Sequence, residues 1–378
     1  MRPLIDIALS TDGSTVNDLI RLIRQALDRG AQSLLLLSCD ENGLEAAAID
    51  PTLRSLEVPV FGGCFPTLLH GRSYLDRGFV VAGLSEPVEV AVYSEVSSLD
   101  PLGGMPILFP PALAESRGFV VLVDGLSSTI DHLVGEVYDQ VGPDRAVLGG
   151  GAGSLSFQQR PCLFTNSGLV QDALQVVGFR RPFQTSVRHG WEKLAGPFLV
   201  TESDGNVIHS LNYRPAFELY SEVVQPYSTA RFEDTDFFEI AKTFPFGLEK
   251  LDEALLVRDP IIAEDGKLVC VGHVPENAMI YVLRGDPAAL KRAAGEAARA
   301  ACPSGDCSRD VLVFDCISRK LFLDGGFAEE LGAIREPFSG EANLVGALSL
   351  GEIANSEGGS VQFHNKTCVV GAYSSTAS

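Results

Sequence analysis

Hydrophobic and polar positions in this chain switch between two periods. The apolar run at 4–9 predicts a strand. Ser14 or Thr15 then stands where a helix cap belongs. Val16, Leu19, Ile20, Ile23, Ala26 and Leu27 follow on one helical face, and Gly30 closes it. Residues 33–38 contain four consecutive leucines and no polar side, which predicts a strand buried on both faces. A helical piece over 43–56 and a strand near 58–61 complete a β-α-β-α-β opening, the order of helices packed on a sheet.

The pattern then changes. Residues 61–73 read as a glycine-rich loop, and the strand-like runs at 78–84 and 88–96 are close enough to pair as a hairpin. Residues 98–116 form a connection punctuated by Pro101, Gly103, Gly104, Pro106, Pro110 and Pro111. A strand at 119–123, a helix at 129–141, the run 145–153 ending in glycines, and strands at 161–165 and 168–178 come next. In 186–220, His189 stands beside Trp191, the only tryptophan. Apolar runs at 198–201 and 207–210 flank Asp204-Gly205-Asn206, which predicts a hairpin, and Pro215 opens a helix. This stretch reads as the junction between two parts of the chain. Beyond it, 233–246 is predicted helical. Strands are expected at 255–257, 268–271, 279–283, 311–314, 343–350 and 367–372, with helices at 287–301 and 327–334.

Length and charge narrow the classes. At 378 residues, two domains are expected, and 46% hydrophobic content is that of a folded chain. The 29 basic and 49 acidic residues give a net charge of −20. That field opposes binding to nucleic acid or to an anionic membrane surface. No run approaches the roughly 20 apolar residues of a membrane-spanning helix, and Asp6 interrupts the first apolar run, so no signal peptide is read. Eight cysteines scattered through large apolar segments do not suggest a disulfide scaffold. The expectation is a cytoplasmic, reduced protein.

Candidate chemistry is sparse. Gly149 to Gly153 lacks both the dinucleotide fingerprint and a Walker lysine, and is read as close backbone approach. Ser349, in Ala347-Leu348-Ser349-Leu350-Gly351, is a near miss for a nucleophile elbow. Cys302 and Cys307 bracket a turn and suit a switchable disulfide, half of a zinc site, or incidental thiols. Cys316 follows a strand, with Arg319 placed to lower its pKa, and Cys64 occupies a comparable place in the first half. Either is equally a small buried hydrophobe. Of the histidines, His70, His132, His189, His209, His273 and His364, only His189 has a distinctive setting, among Val187, Gly190, Trp191, Leu194 and Phe198. A neutral imidazole facing an apolar cavity suits an axial haem ligand, and the same setting suits a core histidine.

Together these motifs resemble the FIST sensory domain, both its N-terminal and its C-terminal parts. The resemblance is carried by Gly346 to Ile353, Phe363-His364-Asn365-Lys366-Thr367, Cys316-Ile317-Ser318-Arg319, Pro215 to Tyr220, the glycine run, and Phe164 to Gly168. It implies an α/β (mixed α+β) fold of two related halves, with sheets packed together and flanked by helices. The parts would divide as 1–205 and 206–378. Two departures stand out: Gly63-Cys64-Phe65-Pro66 runs on to His70-Gly71-Arg72, and His189 precedes Gly190-Trp191. The second is similar to the family's haem-containing nitric-oxide sensors. That likeness implies haem b on His189 as metal ligand, with Trp191, Phe198, Cys64, His70 and Arg72 around the cofactor. It implies Cys316, Arg319, Gly351 and Glu352 as ligand-binding residues, no catalytic residue, and a partner histidine kinase or diguanylate cyclase/phosphodiesterase. A homodimer is compatible with it. Alternatives are a FIST domain sensing a small metabolite such as an amino acid, a thiol-based redox sensor, or a Cys/Ser hydrolase.

Overall fold

Three stretches of the chain build the same four-stranded arrangement. The computed structural model describes residues 3–98, 107–250, 254–302, 307–338, 342–355 and 359–374. In the first unit, strand Ser33–Cys39 lies parallel to Val60–Phe65 and antiparallel to Phe79–Leu84, which pairs in turn with Ile5–Thr11. The second unit repeats this with Gly118–Asp124, Ala146–Ala152, Ala173–Phe179 and Glu89–Ser94. The third repeats it with Cys307–Cys316, Asn343–Ser349, Cys368–Ser374 and Phe183–Arg188.

Each unit also sends out a hairpin between its third and fourth strands, and the hairpin joins another unit's sheet. Thr67–His70 with Ser73–Leu75 extends the third sheet from Asn343–Ser349. Leu163–Thr165 with Gly168–Val170 extends the first from Val60–Phe65. Glu352–Asn355 with Val361–His364 extends the second from Ala146–Ala152. The exchange is cyclic and gives three six-stranded sheets.

Helices cover these sheets for local reasons. Helix Val16–Asp28 begins at a capping box between Thr15 and Asp18 and buries Leu19, Leu22, Ile23 and Ala26. Helix Pro287–Ala300 begins with proline, is capped by the Asp286 side chain accepting from the Ala289 N–H at 2.8 Å, and buries an alanine face. Between Phe183–Arg188 and that helix lies an insertion. Its strands Glu192–Asp204, Met279–Arg284, Phe246–Leu248, Leu256–Glu264, Lys267–Val271 and Val207–Leu211 pair in that order, and the last returns to the first. This closed barrel has its own core, including Val200, Ile208, Tyr220, Phe246, Leu268 and Ile280.

Glycine marks the same place in all three units. Gly62 faces Leu36, Gly149 faces Val121 and Gly346 faces Val313 across the parallel pairs. A Cβ at these glycines would stand 1.9, 1.7 and 2.0 Å from the facing carbonyl oxygen. The reading of Gly149 to Gly153 as close backbone approach therefore holds. Gly149→Ala is expected to cost about 3 kcal/mol, because the methyl would run into the Val121 backbone, which a sheet strand cannot move aside. Urea unfolding measures it, and a wild-type midpoint would refute the account.

The α+β class with sheets and covering helices is as expected, and the internal relation runs through three units. Several local expectations change. The stretch 61–73 is not a loop: most of it forms strands Val60–Phe65 and Thr67–His70, which belong to different sheets. Strands Phe79–Leu84 and Glu89–Ser94 likewise lie in different sheets and do not pair. The run 168–178 breaks at Asp172, whose φ is +44°, into Gly168–Val170 and Ala173–Phe179. In 233–246 only Phe237–Ala241 is α-helical. Much of the expected connection at 98–116, and the side chain of Cys307, lie outside the described residues; Cys302 is disulfide-bonded. No helix among the described residues is long and apolar enough to cross a membrane.

Candidate functional site

The carboxyl ends of parallel strands, where α/β sheets commonly bind ligands, meet an incoming hairpin at three equivalent niches. The first is nearly filled. Cys39, Cys64, Cys162 and Arg160 leave about 20 Å³, and Arg160 reaches Asp40 at 3.5 Å and Ser154 at 3.0 Å. In the third, Lys320 pairs with Asp76, donates to Thr67 Oγ1 at 3.2 Å and sits 4.9 Å from the Tyr74 ring centre. The second, beyond strand Gly118–Asp124, opens into a cavity of about 750 Å³.

Both bodies of the protein line that cavity. Its base comes from the loop Gly125 to Asp131, from Cys316 to Ser318 with Leu321, and from Leu350, Gly351, Phe363 and Asn365. The barrel supplies Gly205, Asn206, Asp259, Ile261 and Cys270 to His273, and Phe238 adds an aromatic wall. A clamp ties the two sides together. Arg258 donates to His273 O at 2.9 Å, Phe363 O at 2.9 Å and Asp131 Oδ1 at 2.8 Å, while Asp131 Oδ2 accepts from the His273 N–H at 2.8 Å.

Beneath the floor lies a dry ionic network. Asp259 Oδ2 accepts from Ser318 Oγ at 2.8 Å and pairs with Lys366 Nζ at 3.1 Å. Burial pushes this carboxyl up, against the opposing pull of Lys366. Lys366 also donates to Lys242 O at 2.9 Å and lies 4.9 Å from the Trp191 ring centre. Its own carbonyl accepts from Trp191 Nε1 at 3.1 Å and Arg319 Nη1 at 3.2 Å. Arg319 forks onto Glu330 at 3.0 and 2.8 Å, pairs with Asp315 at 3.1 Å, and caps Leu290 O at 3.0 Å and His189 O at 2.5 Å. Burial alone would lower its pKa, but Glu330 and Asp315 hold it above the ordinary value. Glu352 accepts from the Thr367 N–H and Oγ1 at 3.2 and 2.9 Å, and burial pushes it up to about 8.

The structure separates the residues expected at the site. Cys316 and Gly351 line the cavity, and Arg319 and Glu352 belong to the network below it. Burial, then Glu352, keeps the Cys316 thiol well above its ordinary pKa, opposite to the lowering expected from Arg319, which is engaged with carboxylates. Ser349 leads into strand Glu352–Asn355 and not into a helix, and is fully buried. His189 and Trp191 are not in the cavity wall. Nδ1 of His189 accepts from the Trp191 N–H at 2.9 Å, which places the proton of the neutral ring on Nε2. Burial, then Arg319 and Arg188, pushes this histidine down to about 4. In this arrangement the ring has no bare nitrogen for a haem iron. Phe198 packs on the barrel core, Cys64 fills the first niche, His70 bonds Ser10 Oγ through Nδ1 at 3.0 Å, and Arg72 is exposed. These four do not converge with His189 on one cavity.

Arg258-Asp259 interrupts an apolar strand, which is the signal in the sequence for buried charge at this site. Asn365 and Lys366 carry no signal in the sequence beyond the motif that contains them.

Comparison with known families adds a second line. A model of the FIST N domain matches residues 33–214, and one of the FIST C domain matches 216–355. No curated protein matches the chain. FIST domains are sensory ligand-binding domains of signalling proteins. With both domain models matched in order over residues 33–355, the chain belongs to the FIST sensory-domain family.

Proposed function

We propose that the 750 Å³ cavity is the input site of a small-molecule sensor, and that its occupant draws the barrel and the three-sheet body together. The observation that carries this is the shared lining: Asp259 and Ile261 come from the barrel, Gly125 to Asp131 and Asn365 from the body. A ligand that touches both shifts their relative positions by its differential affinity for the two states. The reading includes a separate output enzyme, a histidine kinase or cyclic-di-GMP enzyme, and contains no catalytic step. Among the described residues Ser349 Oγ bonds Glu352 and the Asp315 carbonyl, and burial raises the pKa of the Cys316 thiol, which supports a reading without a nucleophile.

The test is a thermal-shift screen of small polar metabolites, amino acids among them, and haemin, on wild type, Leu321→Trp and His189→Ala. A ligand at about a hundred times its Kd adds about 2.7 kcal/mol. We expect such a metabolite to raise the wild-type Tm, Leu321→Trp to abolish the rise by obstructing the cavity, and His189→Ala to keep it. A stoichiometric Soret band lost in His189→Ala would move the input to haem on His189.

A further inference from the structure

The floor of the cavity specifies a chemistry by what it lacks. Asp259 is 2% exposed, and among the described residues its Oδ1 has no hydrogen-bond partner, since Ser318 and Lys366 both engage Oδ2. Asn365 is 1% exposed; its Nδ2 donates to His364 O at 3.0 Å and its Oδ1 has no donor. Among the described residues, these are the buried, unpartnered side-chain oxygens that belong to the cavity lining. A buried acceptor left in this state is unfavourable until a donor reaches it.

The protein's own cations do not serve them. Lys366 Nζ is committed to Lys242 O and Asp259 Oδ2, and Arg258 to the clamp. The described lining contains Asp131 and Asp259 but no lysine or arginine. His132 and His273 also line the cavity, but at Asp259 and Asn365 an anionic head group would meet carboxylate and carbonyl oxygens with no lysine or arginine to neutralise it, inside a chain of net charge −20. A hydroxyl brings one proton to two acceptors. Both oxygens are recessed, so the head must also be compact.

We infer that the cavity takes an organic primary ammonium, whose N–H donors complete Asp259 and Asn365 while its apolar body lies against Leu126, Phe157, Phe238 and Phe363. This rests on the cavity being the input site. Three probes of matched skeleton decide it by calorimetric titration at neutral pH: phenethylamine, 2-phenylethanol and 3-phenylpropanoate. On wild type, the amine is expected to bind at least about tenfold more tightly than the alcohol, and the carboxylate not to bind. Asn365→Leu is expected to weaken the amine about tenfold with little change in the Tm of the free protein. Asp259→Asn is expected to weaken the amine at least as much, with a fall in Tm because buried Lys366 loses its charged partner. If that variant fails to fold for want of a partner for Lys366, Asn365→Leu still decides, because Asn365 carries no charge. Alcohol or carboxylate binding as tightly as the amine, and blocked by Leu321→Trp, overturns the ammonium class while leaving the cavity as input site. Absence of phenethylamine binding, or binding unaffected by Asn365→Leu, also overturns the class. Amine binding unaffected by Leu321→Trp overturns the cavity itself.

Discussion

Arg319→Leu is expected to destabilise the protein by about 3–5 kcal/mol, the range for removing one partner of a buried ion pair. The side chains of Arg319, Asp315 and Glu330 have no solvent exposure. Leucine fills part of the volume but leaves two carboxyl groups without their cation. It also removes the donors to the carbonyls of His189, Leu290 and Lys366, which belong to separate segments of the third unit and its insertion. Urea unfolding followed by the single tryptophan, Trp191, reads the effect beside the network itself. Arg319→Lys keeps the charge but loses the planar fork, so it should recover only part of the loss. A midpoint for Arg319→Leu equal to wild type would show that the triad contributes no net stability.

The second large effect is a pH dependence set by Glu352. Burial raises this carboxyl from 4.5 to about 8 against hydrogen bonds from Thr367 and Ser349, which favour the ionised form. Ser349 Oγ lies 2.9 Å from Glu352 Oε1 and 3.3 Å from Asp315 O, and its single proton serves one of them. A proton on Glu352 serves the other contact. Between pH 4.5 and 8 the folded state holds this proton and the unfolded state releases it. The group's contribution is therefore complete below the unfolded value and declines as pH rises toward 8, by up to about 1.4 kcal/mol per unit. Glu352→Gln imitates the neutral acid, so its stability should fall less than that of wild type across this interval and exceed it at the alkaline end. Buried carboxyls other than Asp315, whose pKa Glu352 itself raises, titrate in both proteins and cancel in the comparison. Identical slopes for the two proteins would reject a protonated Glu352.

Much of the fold was legible because it is local. The apolar run of Ser33–Cys39, the caps of Val16–Asp28 and the alanine face of Pro287–Ala300 each carry their own signal. The exchanged hairpins do not. Nothing within 61–73 tells a strand that its partner lies near residue 345, and Gly62 and Gly63 suggested a turn where they permit close strand packing. The site divides in the same way. Cys316 and Gly351 were visible through the family pattern, whereas the niche that stays open depends on Arg160 and Lys320 filling the other two. His189 drew notice through Gly190, but that glycine, at φ +77°, makes room for helix Pro287–Ala300: a Cβ there would stand 2.8 Å from that of Ala293. The close approach is to protein and not to a cofactor.

The cyclic exchange of hairpins also governs how the chain is made. As it leaves the ribosome, Thr67–His70 is synthesised long before Asn343–Ser349, the strand it pairs with, and until then its outer edge is bare. Ala146–Ala152 waits similarly for Glu352–Asn355. Neither sheet is complete before nearly all of the described chain has been translated, so folding must finish late and through contacts of long sequence separation. Until then the nascent N-terminal segment carries apolar strands whose edges are unpaired.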